Sequence, residues 1–202
     1  LEDLSCSVDE GDKIGIIGIN GTGKSTLLRI IAGEEEADEG KIIFSNGLTV
    51  GWLGQNPEFD EDSSILKYVC EGKKIEEDYG YESDAKAMLT VLELEQFDEK
   101  IKNLSGGQKK RAALCKVLLQ KPDILILDEV LSVGDAKFRK KCENRIQSMF
   151  DKGVTVIFVS HSTSQVLRMC NKGILLEQGR LIAQGDVEDV VSVYEAKMSE
   201  NE

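Results

Sequence analysis

The sequence predicts an α/β fold with a largely parallel sheet and an inserted helical subdomain. Three observations carry that expectation. First, short continuous apolar runs, "KIGIIG" at 13–18, "DILILD" at 123–128 and "VTVIFVS" at 154–160, suit strands buried on both faces of a parallel sheet. Second, segments with helical spacing alternate with those runs. Third, a charged, helix-patterned block from 63 to about 120 separates the early strands from the later ones.

The elements follow in chain order. After the first apolar run, "KSTLLRIIAG" reads as a helix closed by Gly33. "KIIFS" (41–45) and "LTVGWLGQ" (48–55) read as two strands joined by a turn at Asn46-Gly47. "GGQKKRAALCKVLLQ" (106–120) is a helix that must stop before Pro122. Residues 136–151 carry helical spacing, and "STSQVLRMC" is a short helix. "GILLEQGRLIAQG" (173–185) predicts a hairpin around Gly179. "DVEDVVSVYEAKM" predicts a terminal amphipathic helix with Asp186 as its N-cap.

At 202 residues the chain has room for one domain with a sizeable core. Apolar residues make up 41% and charged residues 31%, so a soluble globular protein is expected. No apolar run has the roughly 18 residues of a membrane span. "LEDLSCSVDE" is acidic and polar and does not read as a signal peptide. Cys6, Cys70, Cys115, Cys142 and Cys170 are widely spaced and odd in number. They read as small buried hydrophobes in a reducing, cytoplasmic setting, not as disulfide or zinc positions.

The net charge of −12 lies in residues 1–129, where 27 acids face 15 Lys and Arg. Two acidic clusters, "EEEADE" (34–39) and "EFDED" (58–62), read as solvated loops. Such a surface repels phosphate backbones, so direct DNA binding is not expected.

"GINGTGKST" (18–26) fits G-x-x-x-x-G-K-[ST] between a strand and a helix, which makes the fold a P-loop NTPase. Backbone N–H groups of Gly18, Asn20, Gly21, Thr22, Gly23, Lys24, Ser25 and Thr26, with the helix dipole, are expected to cradle phosphate oxygens. Lys24 is expected to reach the β- and γ-phosphates of ATP, and Ser25 to offer its hydroxyl to Mg²⁺. Such a site needs a second acid at the end of a neighbouring strand. Asp128 ends "ILILD" at the carboxyl edge, where open α/β sheets bind ligands, and is expected to hold Mg²⁺. Glu129, one residue on, is placed to polarise the attacking water as general base.

"LSGGQKKR" (104–111), together with the phosphate loop and "ILILDE", makes the chain resemble the ATP-binding cassette (ABC) ATPases. The resemblance implies that Ser105, Gly106, Gly107 and Gln108 bind the γ-phosphate held by an opposite protomer. It further implies that Gln55 senses Mg²⁺ and the attacking water. Asp135 falls at the position that lines the dimer interface. His161, the sole histidine, matches the switch residue that contacts the γ-phosphate. The implied activity is ATP hydrolysis by a head-to-tail dimer, with a second cassette as partner and a separate membrane permease as a further one.

Within that family, residues 1–129 resemble the ABC-F group, which acts on ribosomes. Residues 130–202 resemble the ATPase subunits of polysaccharide and teichoic-acid exporters. A mosaic with a seam near 129 is therefore expected, with the exporter role favoured over the ribosomal one. The resemblance also implies that a cassette begins about 20–25 residues earlier, with strands and an adenine-stacking aromatic. Weak ATP binding, mostly through phosphates and Mg²⁺, is expected on that ground. A binding module without catalysis is the third reading.

Overall fold

The computed structural model describes residues 1–2, 4–72, 80–129 and 136–200; the side chains of 136–138 are outside the description. Six strands form one sheet: β1 (Lys13–Ile17), β2 (Val50–Leu53), β3 (Ile124–Asp128), β4 (Thr155–Val159), β5 (Lys172–Glu177) and β6 (Arg180–Asp186). Their order across the sheet is β2-β3-β4-β1-β5-β6. All neighbouring pairs are parallel except the β5/β6 hairpin. The helices are α1 (Lys24–Ala32), α2 (Ile65–Val69), α3 (Tyr81–Val91), α4 (Gly106–Leu119), α5 (Ala136–Phe150), α6 (Thr163–Met169) and α7 (Val187–Glu200).

The apolar runs behave as doubly buried strands because successive residues feed two separate layers. Ile14, Ile16, Ile124, Ile126, Ile157 and Val159 pack with Leu27 and Leu28 of α1 on one face. Ile17, Leu125, Leu127, Val156 and Phe158 turn to the other face. There they meet apolar residues from α4, α5, α6 and α7. Phe158 and Leu125 are among the largest fully buried side chains, so this interior is close-packed.

Helices α2, α3 and α4 lie between β2 and β3 in the chain, inside the 63–120 block expected to be helical. They pack on one another, and α4 also contacts β2. Glu93, in the loop after α3, ties this layer to its surroundings. It receives Arg111 of α4 at 3.2 Å and Lys141 of α5 at 2.6 Å.

Two expectations need correction. The segment 41–45 is not a strand: Ile43 is 81% exposed, and only Val50–Leu53 of the second run pairs in the sheet. Asn46-Gly47 still turns, with Gly47 at φ 83°, but it joins a loop to β2. A strand needs a partner ladder for its N–H and C=O groups, and among the described residues none lies beside 41–45. The second correction concerns Cys6, which is exposed; the other four cysteines are buried and free. The acidic cluster 58–62 is a solvated loop as expected, with Glu58, Asp60, Glu61 and Asp62 all exposed, and two of its acids form surface ion pairs. Glu61 binds Lys109 at 2.7 Å and Asp62 binds Lys102 at 2.7 Å, so the acids neutralise the basic residues beside the 104–111 turn.

Candidate functional site

The carboxyl edge of the sheet collects the expected residues through strand register. Asp128 ends β3 level with Val159 of β4, and Val159 is level with Ile16 of β1. Gly18 therefore leaves the sheet at the same edge as Asp128. His161 follows Val159 by two residues, and Gln55 follows Leu53, which pairs with Leu127, by two residues. The strand bearing Asp128 is not the immediate neighbour expected of it. β4 lies between β3 and β1. Helix α1 makes up the distance by crossing back over β3 and β2.

Residues 18–23 form a glycine-shaped loop. Gly18, Gly21 and Gly23 have φ of 146°, 79° and 92°. A Cβ on Gly18 would stand 2.2 Å from the Leu176 carbonyl oxygen, so no other residue fits against β5 there. Gly23 caps α1 in the left-handed region, and no side chain caps that helix. Its first N–H groups are thus left to an anion. The Thr22 hydroxyl closes the loop by donating to Ile19 O at 2.9 Å.

Lys24 is 5% exposed and folds over this loop, its Nζ donating to Gly18 O and Ile19 O at 2.8 Å each. Burial pushes its pKa down, while the nearby Glu129 and Asp128 carboxylates pull it back up. A desolvated ammonium held by two loop carbonyls is placed to exchange them for phosphate oxygens.

Asp128 is 3% exposed, and its Oδ1 is buried without a hydrogen-bond partner. Burial pushes its pKa up; a hydrogen bond from Ser25 opposes this and the neighbouring Glu129 adds to it. An orphaned buried oxygen costs about 1–3 kcal/mol unless something satisfies it. A divalent cation held between the Ser25 hydroxyl, the Asp128 carboxylate and phosphate oxygens fits this donor set. Among the described residues no group of three or more His, Cys, Asp or Glu side chains gathers as metal ligands.

Glu129 leaves β3 with φ 54°, a left-handed conformation uncommon outside glycine, and strain of this kind clusters at functional sites. The turn aims its carboxylate at His161, with Oε1 2.5 Å from Nε2.

Ser105 to Gln108 lie elsewhere. Ser105 caps α4 in a capping box: its hydroxyl accepts from Gln108 N at 3.3 Å, and its own N–H donates to Gln108 Oε1 at 2.9 Å. Helix α4 packs on α2, α3 and β2, whereas the phosphate loop opens α1, which packs on β3 and β2. Asn20, Gly21 and Thr26 lie in or just after the loop, as expected. Asp135 lies outside the described residues.

Two polar residues beside His161 were not among the expected ones. Gln165 of α6 is 9% exposed; its Oε1 accepts from Ser160 Oγ at 2.7 Å and its Nε2 donates to Glu143 Oε1 at 3.1 Å. Glu143 of α5 also takes Arg168 at 2.6 Å.

A parallel sheet with a glycine-shaped anion loop, a buried lysine and a strand-end carboxylate pair defines a P-loop ATPase cassette. The chain belongs to the ABC transporter family, whose model matches residues 1–132. Over 200 residues it is 36% identical to the "ABC transporter protein AbcA" of Aeromonas salmonicida, covering 96% of this chain and 64% of that protein. Two proteins called "Teichoic acids export ATP-binding protein TagH" are similar over 96% of the chain. The one from Listeria innocua is 32% identical with 58% of its length covered, and the one from Staphylococcus haemolyticus 35% with 74% covered. The chain thus spans about three fifths of the first two relatives. A solved ATP-binding subunit of an ABC transporter superimposes with a TM-score of 0.85 at 24% identity, covering 96% of this chain and 87% of that one. The ADP conformation of an ATP-binding cassette of an ABC transporter gives 0.71 at 26% identity, with 94% and 87% covered. The alignments to the curated relatives run through position 129 and lend no support to a seam or to the ABC-F likeness. Among the described residues no helix is long and apolar enough to cross a membrane.

Proposed function

We propose that residues 1–202 act as one cassette that binds MgATP and hydrolyses it in a head-to-tail dimer, energising export through a separate membrane subunit. The observation that carries this reading is the buried, unpartnered Oδ1 of Asp128 beside Ser25 at the base of the phosphate loop. Ser25 and Asp128 would hold Mg²⁺, with Gln55 reaching it from the end of β2. The ion supplies charge neutralisation at the β- and γ-phosphates. Lys24 gives up its loop carbonyls for phosphate oxygens. Glu129 accepts the proton of the attacking water, and His161 holds that carboxylate in place and faces the γ-phosphate.

The dimer reading is supported by the packing of α4, which Ser105 caps, in the layer on the opposite face of the sheet from α1, which the phosphate loop opens. A second copy brings its own Ser105, Gly106, Gly107 and Gln108 onto the γ-phosphate, and Asp135 lines the same interface. Association on ATP and separation after hydrolysis drive the permease. The cargo class is a glycan polymer such as a teichoic acid, supported by the names of the relatives. The cassette then works at the cytoplasmic face of the membrane, and neither ribosome nor DNA is a partner.

Steady-state ATPase assays over a protein-concentration series test this reading. Sites shared between protomers give a rate per protein that rises with concentration. A constant rate across the series overturns the dimer.

A further inference from the structure

His161 sits on an exposed turn, with half its side chain in solvent, so something must fix its imidazole against Glu129. The turn is held by one amide. Ser160 Oγ accepts from Ser162 N at 3.1 Å and donates its hydroxyl hydrogen bond to Gln165 Oε1 at 2.7 Å. Ser162 caps α6 by accepting from Gln165 N at 3.3 Å. The other half of the Gln165 amide donates to Glu143 on α5, which Arg168 also grips. Both halves of the amide are used, so its orientation is unique. Leu or Met would leave the Ser160 hydroxyl without its acceptor, and Glu would set one carboxylate against another.

We propose that Gln165 is a positioning residue for hydrolysis, locking the His161 turn to Glu143 of α5 and so holding the imidazole on Glu129. This rests on the hydrolytic reading above. The network shares its surroundings with a cavity of about 440 Å³ lined by Glu129, Arg139, Glu143, His161 and Gln165, so the turn has room to move once the lock is broken.

The test compares ATPase turnover and KM in the full chain for Gln165→Met, His161→Ala and their combination. A displaced imidazole lowers kcat by about 10-fold in Gln165→Met, because misplacements near 1 Å can cost up to about 100-fold. KM for ATP stays within about twofold, since the phosphate loop is untouched. Gln165→Met adds nothing to His161→Ala, because it acts through that residue. Should Gln165→Met fold poorly, the pair Q165E and Q165E/E143Q replaces it. The single change slows turnover, and the exchange, which rebuilds an amide–carboxylate bond, restores it. If His161→Ala slows turnover but Gln165→Met does not, or the two losses add in full, the positioning role is refuted while the hydrolytic reading stands. If His161→Ala leaves turnover intact, the positioning role falls together with the role given to His161; absence of ATPase turnover in the unaltered chain is what overturns the hydrolytic reading.

Discussion

His161 Nε2 lies 2.5 Å from Glu129 Oε1, joining the ends of β4 and β3 above the sheet. The contact couples the residue proposed to take a proton from water with the one proposed to face the γ-phosphate. Glu129 reaches it only by adopting φ 54°. The backbone strain is thus spent on aiming a carboxylate.

Replacing Glu129 by Gln keeps the side-chain volume and removes the base. ATP binding persists, turnover falls by about 100-fold or more, and the dimer accumulates with ATP. Phosphate release and size-exclusion chromatography with ATP and Mg²⁺ measure both effects. Wild-type turnover in this variant would exclude Glu129 as the general base.

Asp128 predicts a trade between stability and activity. Its folded pKa is raised by burial, so the native state binds more protons than the unfolded chain between the ordinary carboxylate value and the raised one. Stability therefore falls as pH rises through that window and stays lowered at neutral pH. Asp128→Asn removes the buried charge. Without nucleotide it melts about 2–4 °C higher at pH 7, as a gain near 1 kcal/mol would give. The gain disappears at a pH below the ordinary carboxylate value, and Mg²⁺-dependent turnover is lost. Scanning calorimetry at both pH values decides it; an unchanged or lower melting temperature at pH 7 counts against a costly buried carboxylate.

Composite sites predict complementation. Lys24→Ala disables the phosphate loop and Ser105→Arg disables the turn offered to the other protomer, so each is inactive alone. Mixed in equal amounts they recover about a quarter of wild-type activity, because half the dimers are mixed and each has one intact site. No recovery on mixing would show that the sites are not shared.

The loop glycines should differ in cost. Gly18→Ala drives a Cβ to 2.2 Å from the Leu176 carbonyl, whereas a Cβ on Gly21 meets nothing within 4 Å. Gly21→Ala bears only the left-handed penalty of about 1–2 kcal/mol. Gly18→Ala costs about 3 kcal/mol or more, because backbone must move. Urea midpoints rank the two, and equal midpoints would show that β5 yields.

Much of this protein was legible in local pattern. The strands β1, β3 and β4, the hairpin turn at Gly179 and the phosphate loop all follow from residues a few positions apart, whose sterics and hydrogen bonds are local. Lys24 and Asp128 stood out as candidates for the same reason, since each stands at a fixed offset from the end of such an element, whereas His161 was a candidate through the family resemblance. Tertiary structure decided the rest. Buried parallel strands look alike in sequence, so the order β2-β3-β4-β1-β5-β6 comes from pairing across long stretches of chain. That order puts β4 between the phosphate loop and Asp128, leaves α1 to bridge them, and brings Glu129 onto His161. It also denies 41–45 a neighbour, so β-branched residues there form no strand. Gln165 was hidden for the same cause, because its two amide bonds reach Ser160 and, 22 residues back in the chain, Glu143.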